Sequence, residues 1–260
     1  MNLTNYLILS LASSAAGFVN ALAGGCTLFT FPALTFLGIP PIAANITNTV
    51  ALCPGYFGAT LAQRKTLFDQ KKRLLFFLPT GIVGGIAGGL LLLHTSAALF
   101  EEAVPFLILI ATILLASQKR IQKWLLRKNE NSGKSDEYSS GAIIVIFLAS
   151  VYGGYFGAGV SVIILAALGI LLNDSLTRLN ALKQAISFIV NVASAIYFLF
   201  SGKVLWPVAI VMALFSIIGG VLGGHLSDRI KESTLRLCVV IIGFSVSVYY
   251  FLHLFYKPGS

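Results

Sequence analysis

Apolar residues in this chain come in long uninterrupted runs, not in amphipathic stripes, and short polar stretches separate the runs. Runs such as 74–93 and 235–254 reach the ~20 residues that a helix needs to cross a hydrocarbon core of about 30 Å. Six runs predict full spans: 42–62, 74–93, 104–116, 181–200, 205–223 and 235–254. Shorter apolar pieces precede them, 3–23 with 26–37 and 143–156 with 160–172, and glycine interrupts each pair. The second piece of each pair is about a dozen residues, ~18 Å as helix, too short to span unaided. A tilted pair of helices fits, and so does a re-entrant hairpin meeting near the midplane.

The pattern occurs twice. Ile82-Val83-Gly84-Gly85-Ile86-Ala87-Gly88-Gly89 recurs as Ile217-Ile218-Gly219-Gly220-Val221-Leu222-Gly223-Gly224, and Gly24-Gly25-Cys26-Thr27 recurs in weaker form as Gly157-Ala158-Gly159-Val160, with Ser161 next. The double glycines lie in the middle of full-length runs and predict close helix contacts. The chain thus divides into a first membrane repeat over 1–116, a linker over 117–140 and a second repeat over 141–260. Turn-forming residues without periodicity mark 129–136 as the linker proper. Before it, Ile121, Trp124 and Leu125 among Lys123, Arg127 and Lys128 predict a short helix lying at the membrane interface on the cytoplasmic side.

Charge orients the repeats. Arg64, Lys65, Lys71, Lys72 and Arg73 follow the first span and mark that loop as cytoplasmic, whereas the matching loop Ser201-Gly202-Lys203-Val204 has one cation and reads as external. The next pair of loops reverses: 94–102 has no Lys or Arg and two glutamates, while 225–236 carries Arg229, Lys231 and Arg236. Equivalent loops on opposite sides are the signature of inverted-topology repeats, a common plan for secondary transporters. The fold class is therefore an all-α integral membrane protein of two inverted repeats. Each has three full spans plus a glycine-broken helix pair or re-entrant hairpin, for about eight to ten transmembrane segments. Both chain termini are expected on the external side.

Composition agrees with this. Charged residues are 10% of the chain and hydrophobic residues 57%, where a soluble domain carries about 25% charged residues; the mean hydropathy is +0.89. The net charge of +9 falls in short stretches between apolar runs, so it speaks for cytoplasmic loops and against a nucleic-acid partner. Cys26, Cys53 and Cys238 sit in apolar sequence, an odd set without framework spacing, so no structural disulfide is expected. Ala21-Leu22-Ala23 resembles a signal-peptidase site, but no Lys or Arg precedes the apolar region as a signal peptide requires.

Short glycine-interrupted segments at matching places in two halves point to a transporter's binding site. A helix that begins inside the membrane offers unpaired N–H groups and a positive dipole end, which suit an anion. Gly24, Gly25, Cys26 and Thr27, with Asn20 just before them, form one such end; Gly157, Gly159, Val160 and Ser161 form the other. Polar residues near the start of the following spans add Asn45, Thr47 and Asn48 in one half and Asn180, Lys183 and Gln184 in the other. An intramembrane Lys is costly unless paired or wet, so Lys183 either lines the site or snorkels to the cytoplasmic surface. No Asp or Glu lies within any of the six spans, so a carboxylate-based proton or sodium site is not visible and the coupling ion stays open between the two. His94, His225 and His253 lie at or near span ends without ligand spacing, and Ser161 lacks the glycine two positions on that a nucleophile elbow would have. No metal, cofactor or enzymatic activity is expected.

These features together resemble the sulfite exporter TauE/SafE family. They are Gly24-Gly25-Cys26-Thr27 through Pro32, Gly38-Ile39-Pro40 and Ala44-Asn45, then Gly154, Gly157 and Gly159, Asn180-Ala181-Leu182-Lys183, Ser201-Gly202-Lys203-Val204 with Trp206, and the paired glycine clusters. The match runs from about Ala16 to about Leu252. The resemblance implies a secondary transporter, working as an exporter in the bacterial inner membrane, for small sulfur-containing anions such as sulfite, thiosulfate or organosulfonates. Cys26 and Thr27 in one half, and Val160 and Ser161 in the other, interrupt the fuller glycine run that such proteins carry, so selectivity can differ at those positions. A transporter of another small organic anion, such as a carboxylate, is the alternative; an anion channel would share the polar lining. The expected partners are the small anion and the lipid bilayer, and the small-residue faces would also permit a homodimer.

Overall fold

The structure, a computed structural model, describes residues 2–22, 25–131, 140–172, 174–225 and 232–256. Gly24, the linker residues 132–136, Arg229 and Lys231, which enter the sequence reading, lie outside them.

The described residues form eleven helices and no strand: α1 Leu3–Leu22, α2 Thr27–Phe36, α3 Pro41–Ala62, α4 Arg64–Phe68, α5 Lys71–His94, α6 Ala97–Asn131, α7 Ser140–Tyr155, α8 Val160–Leu171, α9 Leu176–Leu199, α10 Trp206–His225 and α11 Glu232–Tyr256. Local chemistry sets several boundaries. Gly38, at φ +83°, turns the chain after α2. Pro41 then opens α3 at a position where its missing N–H costs nothing. The Ser175 hydroxyl caps α9 by accepting from the Arg178 N–H at 3.4 Å.

Among the described residues, four helices are long and apolar enough to cross a membrane: Lys71–His94, Ala97–Arg127, Leu176–Leu199 and Thr234–Leu254. The apolar part of α10, Trp206–Leu222, is shorter. α3 has 22 residues, about 33 Å of helix, which suffices in length. Its polar residues Asn45, Thr47 and Asn48 lower its apolarity, and all three are buried inside the protein, so lipid does not meet them. In place of the separate interfacial helix expected after 116, α6 continues unbroken to Asn131. The reason is Leu125, fully buried against Gly169 of α8, which anchors these last turns to the protein core while Trp124 stays exposed.

Helix packing follows the internal repeat. α1 lies along α10, and α7 along α5; α3 packs on α10, and α9 on α5; α2 packs on α1 and α3, and α8 on α7 and α9. Each contact has its counterpart when first-half and second-half elements are exchanged, and the self-matching pairs α3–α9 and α6–α11 also pack together. Several of the double glycines, and Gly17 and Gly154 opposite them, make close backbone approaches. A methyl group on Gly84 would press on the Phe147 carbonyl and on Ser150, and one on Gly88 would overlap the Val151 carbonyl. In the other half, a methyl on Gly219 would overlap the Ser14 carbonyl, and one on Gly17 the Ser216 carbonyl. The close-contact reading therefore holds for Gly84, Gly85, Gly88 and Gly219, but not for Gly220, where a methyl would meet only the Gly17 carbonyl at 3.8 Å.

The packed bodies do not coincide with the sequence halves. One bundle joins α4 and α5 to α7, α8 and α9; the other joins α1, α2 and α3 to α10. The two meet along α3 and α9, and the α6–α11 pair touches α8 on one side and α2 on the other. Two large apolar clusters fill the interior. One, around Phe77, Ile146, Ile164 and Leu182, lies mainly within α5, α7, α8 and α9; the other, around Phe31, Phe100, Phe156 and Phe198, spans both bundles and the α6–α11 pair.

Candidate functional site

The glycine breaks are where the chain leaves helical geometry. Between α1 and α2, Gly25 has φ +89° and packs on Leu115 of α6 and Val239 of α11. Between α7 and α8, Gly157 at φ +78° and Gly159 at φ +74° flank Ala158, whose carbonyl accepts from the Tyr152 hydroxyl at 2.8 Å. Side chains other than glycine rarely adopt this left-handed backbone, so these turns require the residue found there. Gly159 also lies so close to Ala111 that a methyl group on it would sit 3.2 Å from the Ala111 Cα.

Each break starts a short helix within the protein, α2 at Thr27 and α8 at Val160, and both starting residues are buried. They come together at one cavity of about 10 Å³, lined by Thr27, Asn48, Thr49, Leu52, Tyr56, Gly153, Phe156, Gly157, Val160, Ser187, Val190 and Asn191. That volume holds about one water molecule. Asn48 and Ser187 are each 1% exposed, and Asn48 Oδ1 and Ser187 Oγ have no hydrogen-bond partner among the described residues. Buried polar groups are almost always partnered, so two orphans in one cavity mark a place for a ligand or an ordered water. The Cys53 thiol donates to Asn191 Oδ1 at 3.0 Å, which occupies the amide's acceptor edge. Asn45, just outside the cavity, donates to the Tyr155 carbonyl at 2.8 Å and so ties α3 to the end of α7.

A second cavity of about 410 Å³ lies beside the first, between α1, α3, α9 and α10. Asn20, Cys26, Gln184 and Ser216 line it, together with a small-residue strip along α3: Gly55, Gly58, Ala59 and Ala62. It reaches Gln63, where α3 leads into the cationic α4. Leu52, 4% exposed, lines both cavities and forms the partition between them.

Of the residues singled out in the sequence, Thr27, Asn48 and Gly157 thus line the inner cavity, and Asn20, Cys26 and Gln184 the outer one. The others stand elsewhere. The Thr47 hydroxyl accepts from the Leu205 N–H at 3.1 Å, joining α3 to the entry of α10. Gly25 and Gly159 shape the turns without lining either cavity, and half-buried Ser161 lines neither. Lys183 donates to Asn180 Oδ1 at 3.0 Å, and neither residue lines the two cavities. Sequence reasoning missed Thr49, Tyr56, Ser187 and Asn191. A signal for the last two was present: polar residues four apart fall on one face of α9 inside an otherwise apolar run.

Outside the apolar helices, Asp174 in the α8–α9 connection binds Arg73 of α5, and Arg178 at 2.9 Å. Burial alone would raise its carboxyl. Hydrogen bonds from Arg73 and the Ser175 N–H, with the charges of Arg178 and Arg73, outweigh burial and hold it below the usual carboxylate range.

An all-helical, multi-pass membrane protein with two internal helix breaks converging below a large cavity has the build of a transporter. Comparison with known proteins gives the particular family: the family model of the sulfite exporter TauE/SafE matches residues 9–250, and the chain belongs to that family. It is similar to a probable membrane transporter protein of Haemophilus influenzae, 30% identical over 92% of this chain and 92% of that one. It is also similar to the probable membrane transporter protein YfcA of Escherichia coli K12, 25% identical over 90% of this chain and 85% of that one. A third relative, the probable membrane transporter protein YunE of Bacillus subtilis, is 24% identical over 94% of this chain and 96% of that one. The chain is accordingly a membrane transporter.

Proposed function

We propose that the protein is a secondary transporter, working as an exporter of small sulfur-containing anions such as sulfite, thiosulfate or organosulfonates across the bacterial inner membrane. The observation that carries this reading is the inner cavity, where the first residues of α2 and α8 meet the orphaned polar groups of Asn48 and Ser187. Two helix starts lining one space favour negative charge, and the orphaned Ser187 hydroxyl can donate to an anion there without covalent chemistry.

The mechanism that fits is alternating access. The outer cavity reaches Gln63 at the end of α3, next to Arg64 and Lys65 of α4, the face expected to be cytoplasmic, which supports reading it as the inward-facing vestibule. Leu52 closes the inner cavity from it, and its displacement would join the two spaces around an anion. The moving bodies in this reading are the two mixed bundles, turning about their α3–α9 contact, with the repeats inverted and both termini external. Lys183, next in sequence to Gln184 at the outer cavity, adds positive potential near the mouth. A carrier is favoured over a channel because a fully buried leucine separates the two spaces.

Counterflow tests this. Purified protein in liposomes loaded with unlabelled sulfite should accumulate external radiolabelled sulfite transiently, and thiosulfate or organosulfonates should compete. Imposed proton and sodium gradients then identify the coupling ion. Folded, inserted protein that shows no accumulation of sulfite but does accumulate a carboxylate would replace the substrate assignment, and unsaturable flux without counterflow would favour a channel.

A further inference from the structure

The orphaned oxygens of the inner cavity differ in what they can bind. Asn48 Oδ1 is an acceptor alone, so an anion beside it leaves it unsatisfied, whereas a cation does not. Ser187 Oγ serves either way, donating to an anion or offering a lone pair to a cation. Thr27 and Tyr56 add hydroxyl oxygens, and Asn191 Oδ1, which accepts from the weak thiol donor of Cys53 at 3.0 Å, adds a second amide oxygen. The space, about 10 Å³, takes one water or one small cation and, while Leu52 stays in place, has no room for an oxyanion as well. Resting on the exporter reading above, we propose that this cavity is a sodium site, which sodium and the exported anion occupy by turns, so that one enters as the other leaves.

The helix ends permit a cation here. α7 ends at Tyr155, and Gly153, Phe156 and Gly157 from that end line the cavity together with Val160, where α8 begins. The negative end of α7 offsets the positive start of α8, and the start of α2 leaves a bias of about half an elementary charge against a cation. Sodium is therefore held weakly, as suits an ion that must leave on every cycle. A proton has no comparable seat. Among the described residues no Asp, Glu, Lys or His lines either cavity, and the Tyr56 phenol and Cys26 thiol belong to types that ordinarily titrate above neutral pH. Potassium is ruled out by direction, because only a cation that enters down its own gradient can drive an anion out by exchange. Both movements carry positive charge inward, so the membrane potential adds to the sodium gradient.

Binding and flux with the full-length protein test this. In detergent, replacing choline by sodium at equal ionic strength should raise the melting midpoint of wild type by a few degrees, and that of Asn48→Ala by less. With sodium at about ten times its own dissociation constant, calorimetry should show the apparent sulfite affinity reduced about tenfold, the mark of mutual exclusion. In liposomes loaded with sulfite, external sodium should speed sulfite efflux relative to potassium or choline, and radiolabelled sodium should enter as sulfite leaves. Sulfite that binds more tightly with sodium, or sodium that enters together with external sulfite, would replace exchange by co-transport and overturn the proposal. Potassium acting as well as sodium would overturn the ion, and stabilisation of Asn48→Ala as large as that of wild type would overturn its place. Should Asn48→Ala not fold, Ser187→Ala, which deletes a second oxygen, makes the same comparison. Sulfite counterflow untouched by sodium would overturn the exchange and leave the anion reading standing, whereas neither binding nor counterflow of any anion would take that reading down as well.

Discussion

Ser187 and Asn48 behave differently from most buried polar residues, because their side-chain oxygens are left without partners while the helices around them are complete. A group of this kind costs stability in the free protein and repays it only when a ligand arrives. Ser187→Ala should therefore leave the thermal midpoint unchanged or raise it, while weakening anion affinity about tenfold; a melting curve and a titration on the same preparation check both halves. Thr27, Asn48 and Gly157 were legible in the sequence because a polar residue or a glycine stands out beside a short apolar piece. Ser187 and Asn191 share a face by their spacing, but each can hydrogen-bond its own helix and only the fold shows that this face meets α2 and α8. Lys183 drew attention by its charge, yet the structure places it against Asn180, one turn away, and the part it plays belongs to transport assays of Lys183→Ala, expected to fall below wild type.

Helix pairs carry the next level of information. The α1–α10 and α5–α7 contacts depend on backbone approaching backbone, so a single methylene there is felt. Gly17→Ala and Gly88→Ala should each cost about 1–3 kcal/mol, through overlap with the Ser216 and Val151 carbonyls. Gly58→Ala should be neutral or gain up to about 1 kcal/mol, because nothing lies within 4 Å of a methyl there and alanine favours helix. Thermal unfolding in detergent separates the two outcomes. The Arg73–Asp174–Arg178 cluster joins α5 to α9 from outside the apolar region. Because the Asp174 carboxyl is held below its ordinary range, its contribution is present above the unfolded value and is lost as pH falls through the folded one. Wild-type protein should thus lose thermal stability on acidification below the carboxylate range, and Asp174→Asn should start lower and lose less over that interval. The glycine faces could be seen in the repeat before any coordinates. The full length of α6 could not, because polar residues after Ser117 resemble a linker and only the pairing of Leu125 with Gly169 keeps the helix going.

At the scale of the molecule, repetition was visible in sequence but partnership was not: identical glycine motifs say that two helices need close neighbours without saying which. The positive-inside distribution predicts opposite sides for matching loops, and cysteine labelling checks it. Lys203→Cys and Ser96→Cys should react with a membrane-impermeant reagent in intact cells, and Lys65→Cys only after permeabilisation; equal labelling of Lys65→Cys and Lys203→Cys would refute inversion. The crossed packing of the two bundles also bears on how the chain is made. α5 finds its glycine-face partner α7 soon after it emerges, but α1 must stand in the membrane until α10 is translated. At about 5–20 residues per second that interval is roughly ten to forty seconds, during which the Gly17 face of α1 is open to lipid or to a chaperone. The two bundles close within a few seconds of each other, but α1 waits far longer for its partner than α5 does.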